Sequence, residues 1–289
     1  MYGEAVALGA GTVLNALATG VGSAFALDVE TTARVELDDS GVVDGSIAGA
    51  PDGDTRLIRG CVERVVDRFG DGQGGHVRTE SDVPMAAGLK SSSAAANATV
   101  LAALSALDAP VGDGDAELDR EAACRIGVAA ARDAGVTVTG AFDDASASML
   151  GGVTVTDNTA DDLLVREAVD WDALVWTPAE RAFSADADVA RCERVAPMAD
   201  LVADLALDGR YGEAMTVNGL AFSAALGFPT DPAVEAMPHA DGVSLSGTGP
   251  SIVAVGDRAE LERVRDYWNQ REGDTWLTTT RTDGARVIE

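Results

Sequence analysis

The chain has 289 residues, 46% of them hydrophobic, enough for one large domain or two ordinary ones around a sizeable core. Acids outnumber bases 48 to 21, a net charge of -27 that opposes binding to nucleic acid or to anionic membranes. No run of about 18 apolar residues could span a bilayer, the opening MYGEAVALGAG lacks the basic region of a secretory leader, and Cys61, Cys124 and Cys192 are scattered without a C-x-x-C pair, as reduced thiols of a cytoplasmic protein would be.

Along the chain, residues 9–28 form a glycine-rich run, GAGTVLNALATGVGSAFALD. In 55–69, Leu57, Ile58, Cys61, Val62, Val65, Val66 and Phe69 fall on one face of a helix that Gly70 ends. Residues 76–83 read as an extended segment stopped by Pro84. Residues 91–107 are apolar nearly all round, which predicts a central buried helix with serines at its mouth. A helix over 119–134 closes at Gly135, and VTVTGAF reads as a strand running into a loop. Gly151-Gly152 is the expected domain boundary. Beyond it come short strands at 153 (VTVT) and 174 (LVWT), helices over 196–208 and 211–226, a strand at 251–255, a helix over 258–271 and a last strand, TWLTTTRT. The pattern is α+β, with domains 1–152 and 153–289 and antiparallel or mixed sheets.

The acids are spread over the chain rather than gathered in a tail, and Lys90 is the single lysine among 21 basic residues. Apolar content and periodicity argue against disorder. The surface instead suits concentrated salt, which screens self-repulsion to about 3 Å at 1 M, and it resembles that of proteins from salt-loving archaea.

Lys90 stands where a loop enters a helix, in PMAAGLKSSSA, residues 84–94. Such a place binds anions: free amides and the positive end of the helix dipole face the ligand, and glycine lets the backbone approach. The alternative is a capped core helix, which needs the serines but neither Gly88 nor Lys90. The stretch is not a Walker A loop, because Leu89 separates Gly88 from Lys90, and GAGTVL at 9–14 lacks the third glycine of a dinucleotide fingerprint. His76 and His239 sit in plain contexts and do not suggest a Ser-His-Asp hydrolase or a histidine metal site.

The stretch resembles the P-x-x-x-G-L-x-S-S-x-A signature of the GHMP kinases, the superfamily of galactokinase, homoserine kinase and mevalonate kinase. Gly247-Thr248-Gly249-Pro250-Ser251 is similar to that family's C-terminal glycine-rich motif, and Gly140-Ala141-Phe142-Asp143-Asp144-Ala145 to the segment that carries its catalytic acid. Within the superfamily, the run at 9–28, GLKSSSAAANA and TGAFDDASAS are similar to the archaeal type of shikimate kinase; a homoserine- or pantoate-type kinase, or a non-catalytic module on the same fold, are the rival readings.

The resemblance implies an N-terminal domain like ribosomal protein S5 domain 2 and a ferredoxin-like C-terminal domain. It implies ATP on Pro84, Met85, Ala86, Ala87, Gly88, Leu89, Lys90, Ser91, Ser92, Ser93 and Ala94, with Mg²⁺ bridging the phosphates and Ser92 as its protein ligand. Phosphoryl transfer needs mainly positioning and charge neutralisation, and a lysine can hold a phosphate as a compact point charge. Counting back seven residues from Gly151, the family's spacing, reaches Asp144. Asp144 is therefore expected as base or charge partner, with Lys90 as the other catalytic group and Asp143 as a neighbour. Asn15, Thr19, Gly20 and Ser23 are expected to line the substrate or adenine side, unless they simply form a glycine-rich turn. Asn15, Gly20, Asp144, Gly247 and Gly249 are the substrate-side candidates. The carboxylate of shikimate calls for an arginine, for which Arg181 in TPAERAFS is the candidate.

Overall fold

The computed structural model describes residues 1–109, 111–112, 118–137, 140–179 and 187–288. Two long strands, β1 (Tyr2–Leu14) and β2 (Val21–Asp38), pair antiparallel and form the spine of a seven-stranded sheet. The far edge of β2 is shared. Its second half, Thr31 to Asp38, pairs with β4 (Gly74–Ser81), and its first half, Val21 to Phe25, pairs with β5 (Val153–Asp157). Outside them lie β3 (Val43–Ile47), parallel to β4, and β6 (Asp162–Glu167) on β5. The sheet therefore runs through the expected boundary at Gly151-Gly152, and the chain passes to the second sheet between Glu167 and Asp172.

Most of β1 and the first half of β2 are buried on both faces and show no alternation, whereas the second half of β2, Thr31 to Asp38, alternates buried with exposed positions. One face carries α1 (Arg56–Phe69), α2 (Ser91–Ala106), α3 (Arg120–Ala134) and α4 (Phe142–Leu150). The apolar stripe foreseen for α1 is buried from Leu57 to Val66. Helix α2 lies directly on β1 and β2; its alanines permit the approach, and a side chain at Gly3 would collide with the Ala102 carbonyl. The start of α4 is a departure from expectation: among the described residues of VTVTGAF there is no strand, and Phe142 already belongs to a helix.

The second sheet consists of β7 (Asp172–Thr177), β8 (Gly242–Leu245), β9 (Ile252–Gly256) and β10 (Asp274–Thr279), in the order β10-β7-β9-β8 and antiparallel throughout. Helices α5 (Val189–Cys192), α6 (Ala196–Leu207), α7 (Tyr211–Leu226) and α8 (Asp231–Ala236) connect β7 to β8, and α9 (Arg258–Trp268) connects β9 to β10. This βαββαβ order is the ferredoxin-like arrangement. The chain ends on β11 (Arg286–Val287), which returns to the first sheet beside β1. Val13, Leu14, Phe25, Leu27, Val153 and Val155 share one core with the second sheet and its helices. The two halves thus pack through the face of β1, β2 and β5 opposite α2, and three loops meet at the end of that seam.

Candidate active site

The loop from β4 to α2 alternates its side chains: Val83, Ala87 and Leu89 point into the core, while Met85 is exposed. Ala86, Gly88 and Lys90 all have left-handed backbones, with φ of 54, 77 and 67°. Left-handed backbone at alanine and lysine costs energy and persists only where surroundings impose it. Here they do: the Leu89 carbonyl accepts from the Ala10 amide (3.2 Å) and the Ala87 carbonyl from the Ser251 amide (3.3 Å). Lys90 is the N-cap of α2 but gives no side-chain cap, and the first turn holds no acid. The first helical bond comes from the Ala94 amide, so the amides of Ser91, Ser92 and Ser93 face outward at the positive end of the helix.

The glycine-rich loop between β8 and β9 closes on this turn. Ser246 Oγ donates to the Gly88 carbonyl at 2.9 Å, and the Gly247 amide donates to Thr12 Oγ1 at 2.7 Å. Asn15 ties the same loop to β1: its Nδ2 donates to the Gly247 carbonyl (2.8 Å), its Oδ1 accepts from the Leu17 amide, and its own amide donates to Asn218 Oδ1. Glycine is required at 88, where a Cβ would strike the Ser246 carbonyl, and at 247, where a Cβ would lie 2.7 Å from Lys90 Nζ.

Lys90 Nζ reaches Asp144 Oδ1 at 2.7 Å, and the two side chains are only 6% and 18% exposed. Asp143 and Asp144 occupy the first turn of α4, which follows Ala141 at a left-handed φ of 53°. Asp143 is buried. Its Oδ1 accepts from Asn158 Nδ2 (2.7 Å), and its amide donates to Asn158 Oδ1 (3.0 Å). Burial raises the Asp143 carboxyl to about 7, and the adjacent Asp144 carboxylate adds to the rise; Lys90 and the Asn158 amide oppose it.

These groups line a cavity of about 620 Å³ that also takes in Asn15, Met85, Ala86, Gly88, Ser91, Ser92, Ser93, Gly247 and Thr248. Its far end, between α1, α2 and α3, is apolar, with Ile47, Leu57, Ile58, Ala96 and Val128. The volume and the mixture of an apolar end with a polar one suit a drug-sized or nucleotide-sized ligand.

The structure thus brings together most of the residues singled out in the sequence. Pro84, Ala87, Leu89 and Ala94 do not line the cavity; Ala87 and Leu89 hold the loop through their carbonyls instead. Gly20 lies in the turn between β1 and β2, away from the cavity, with its carbonyl accepting from the Asn158 amide at 2.9 Å. Gly249 packs against the Phe228 ring. Arg181 lies outside the described residues. Asn158, Asn218 and Ser246 carry the geometry without any motif to announce them, and Thr12 sits in the run at 9–28 with nothing local to mark it out. Asn15 and Asn218 meet across 203 positions, a contact that no local pattern encodes. Among the described residues no cluster of three or more His, Cys, Asp or Glu could hold a metal.

Comparison with known proteins bears on the family and the fold. Residues 56–152 match the GHMP kinases N terminal domain, and residues 208–274 match the GHMP kinases C terminal region. A protein of Halobacterium salinarum named shikimate kinase is 68% identical over 289 residues, which is 99% of this chain and 100% of that one. One of Methanosarcina mazei with the same name is 47% identical, over 99% of this chain and 96% of that one. Among solved structures, homoserine kinase from Cytophaga hutchinsonii superimposes with a TM-score of 0.77 at 18% identity, over 99% and 97% of the two chains. A galactokinase from Lactococcus lactis complexed with galactose gives 0.74 at 13% identity, over 99% and 95%. At such identities these structures share the fold alone.

Proposed function

The chain belongs to the GHMP kinases, and on that premise we propose that it is a shikimate kinase, transferring the γ-phosphoryl group of ATP to the 3-hydroxyl of shikimate. The substrate rests on one observation, the full-length likeness at 68% identity to a protein that carries that name. The geometry supports the chemistry. The outward amides of Ser91 to Ser93, the Lys90 ammonium and the glycine backbone at 88 and 247 make a cationic cradle for polyphosphate. The apolar end between α1 and α2 receives the base.

Magnesium fits this donor set as a nucleotide-borne ion. It keeps most of its waters and takes phosphate oxygens with one or two protein oxygens, and the exposed Ser92 hydroxyl at the helix mouth is the protein ligand we assign to it. When bound, it neutralises phosphate charge. Asp144 acts as the charge partner of Lys90 and holds its ammonium at the cavity wall. Arg181 is our candidate for the shikimate carboxylate: among the described residues that line the cavity, Lys90 is the sole basic one, and it is assigned to the polyphosphate. The cysteines are free thiols, as in a reducing cytoplasm, where we place the enzyme.

A coupled ADP-release assay in concentrated KCl, run with shikimate, homoserine, pantoate and mevalonate, tests the reading. Turnover is expected with shikimate. Turnover with another acceptor alone would reassign the substrate, and none with any would favour a non-catalytic module.

A further inference from the structure

Helix α7 is apolar nearly all round, and at its middle stands one amide side chain, Asn218, with no exposure to water. An amide buried without partners costs free energy that an apolar side chain would not. Asn218 has partners on both sides, and they lead out of its own half of the molecule. Its Nδ2 donates to Ser244 Oγ on β8 at 2.8 Å, and Ser244 Oγ donates to the Leu245 carbonyl at 3.1 Å. Its Oδ1 accepts from the Asn15 amide at 2.9 Å, just past the end of β1. Helix α7 comes this near to β8 because residue 219 is glycine, where a Cβ would lie 2.7 Å from the Val243 carbonyl.

From Asn15 the chain of bonds continues to the polar end of the cavity. Asn15 Nδ2 holds the Gly247 carbonyl and Thr12 Oγ1 holds the Gly247 amide, so the end of β1 fixes both sides of that residue. Gly247 in turn leaves just enough room for the Lys90 ammonium. Beside it, Ser246 Oγ donates to the Gly88 carbonyl, and the Gly249 amide donates to the Ser246 carbonyl at 2.9 Å. Asn218 is not part of the cavity wall, whereas Asn15, Gly247 and Lys90 are. Thr12, Asn15, Asn218, Ser244 and Ser246 are all buried, so water does not replace a bond lost among them.

Resting on the kinase reading above and deepening it, we propose that Asn218 is a positioning residue for the polyphosphate end of the site. From the second half of the molecule it fixes Asn15, and through Asn15 it fixes the 246–249 loop at the distance that Lys90 needs. Loss of the Asn218 side chain leaves the Asn15 amide unpaired in the interior and frees the loop to move away from Lys90. The cost falls on the phosphate groups, because the apolar end of the cavity, between α1, α2 and α3, holds none of these residues.

Two measurements on the whole chain in concentrated KCl, both without acceptor, test this. By calorimetry, Asn218→Ala should raise the Kd for ATP about tenfold, the usual cost of one buried donor left unpaired, and leave the Kd for adenosine unchanged. By amide hydrogen exchange without nucleotide, segment 246–249 should exchange faster than in the wild type. Asn218→Asp keeps the oxygen that receives the Asn15 amide and should recover most of the ATP affinity. Ser244→Ala loosens Asn218 from β8 only; it should give a smaller change of the same sign, and serves if Asn218→Ala does not fold. Val202→Ala, a cut in the core face of α6 outside this network, should lower the melting temperature and leave both readings at their wild-type values. Equal losses of ATP and adenosine affinity in Asn218→Ala would make Asn218 a packing residue and overturn the proposal. So would a loss of ATP affinity as large in Val202→Ala, or ATP binding and exchange that do not change in Asn218→Ala. A wild type that binds ATP but does not phosphorylate shikimate overturns the substrate assignment alone and leaves this comparison standing. A wild type that binds no ATP overturns the kinase reading and the proposal together.

Discussion

Lys90 is held on three sides. Its backbone is left-handed, its Nζ is 2.7 Å from Asp144, and Gly247 passes so close that a Cβ there would touch the ammonium. A guanidinium is broader and planar, so Lys90→Arg should displace the 246–251 loop and lower kcat by about 10²- to 10³-fold, the usual cost of one lost charge-stabilising donor. Steady-state kinetics at saturating ATP check this, and an arginine variant of wild-type activity would refute it. Asp143 makes a different prediction. Its folded pKa is raised to about 7, against roughly 4 in an unfolded chain. Between those values the native state binds more protons than the unfolded one, so this group lowers stability as pH rises from about 4 to 7. Asp143→Asn should therefore melt higher than wild type at pH 8, with the difference shrinking towards pH 5. Thermal melts at the two pH values decide it; a difference of the same size at both would contradict the assignment.

At the level of elements, the site is a junction of two loops and one helix start. The β4–α2 loop and the β8–β9 loop meet at Gly88, whose φ of 77° and contact with the Ser246 carbonyl exclude a side chain. Gly88→Ala should destabilise the protein by about 1–3 kcal/mol, the usual cost of strained backbone, and raise KM for ATP as the junction opens. Denaturant titration together with nucleotide kinetics measures both. A change in stability without a change in KM would mean that the loop does not bind nucleotide. Helix α2 was legible because its boundaries carry Pro84, Gly88 and three serines. Strand β1 and the first half of β2 were not, because they are rich in alanine and glycine and buried on both faces, and so lack the period that marks a strand. The second half of β2, Thr31–Asp38, does carry that period.

Across the whole molecule, excess negative charge dominates. Dilute buffer leaves its self-repulsion unscreened. The ion pairs that tie the C-terminal segment to β2, Arg281 with Asp28 and Glu30 and Arg286 with Glu30, are partly exposed and contribute only about 0–1 kcal/mol each. Screening therefore relieves more repulsion than it removes attraction. The melting temperature should rise strongly between about 0.1 and 2 M KCl, and a flat profile by calorimetry would leave the charge balance without a physical role. The same global view bears on the division at residue 152: β5, β6 and β11 all belong to the first sheet, so unfolding should not separate two independent halves there.

The sequence by itself determined what local spacing can encode: a glycine- and serine-rich helix mouth, a second glycine-rich loop, an acidic helix start, and a surface suited to salt. Each is a short run in which neighbouring residues act together, so spacing alone reveals it. Tertiary structure decided what distant residues do to one another. It set Lys90 against Asp144 across 54 positions of chain, tied Asn15 to Asn218 and Gly247, and buried Asp143 against Asn158. Two adjacent aspartates look alike in a sequence. Their burial and their partners differ only once α4, β2 and the turn after β5 have closed around them.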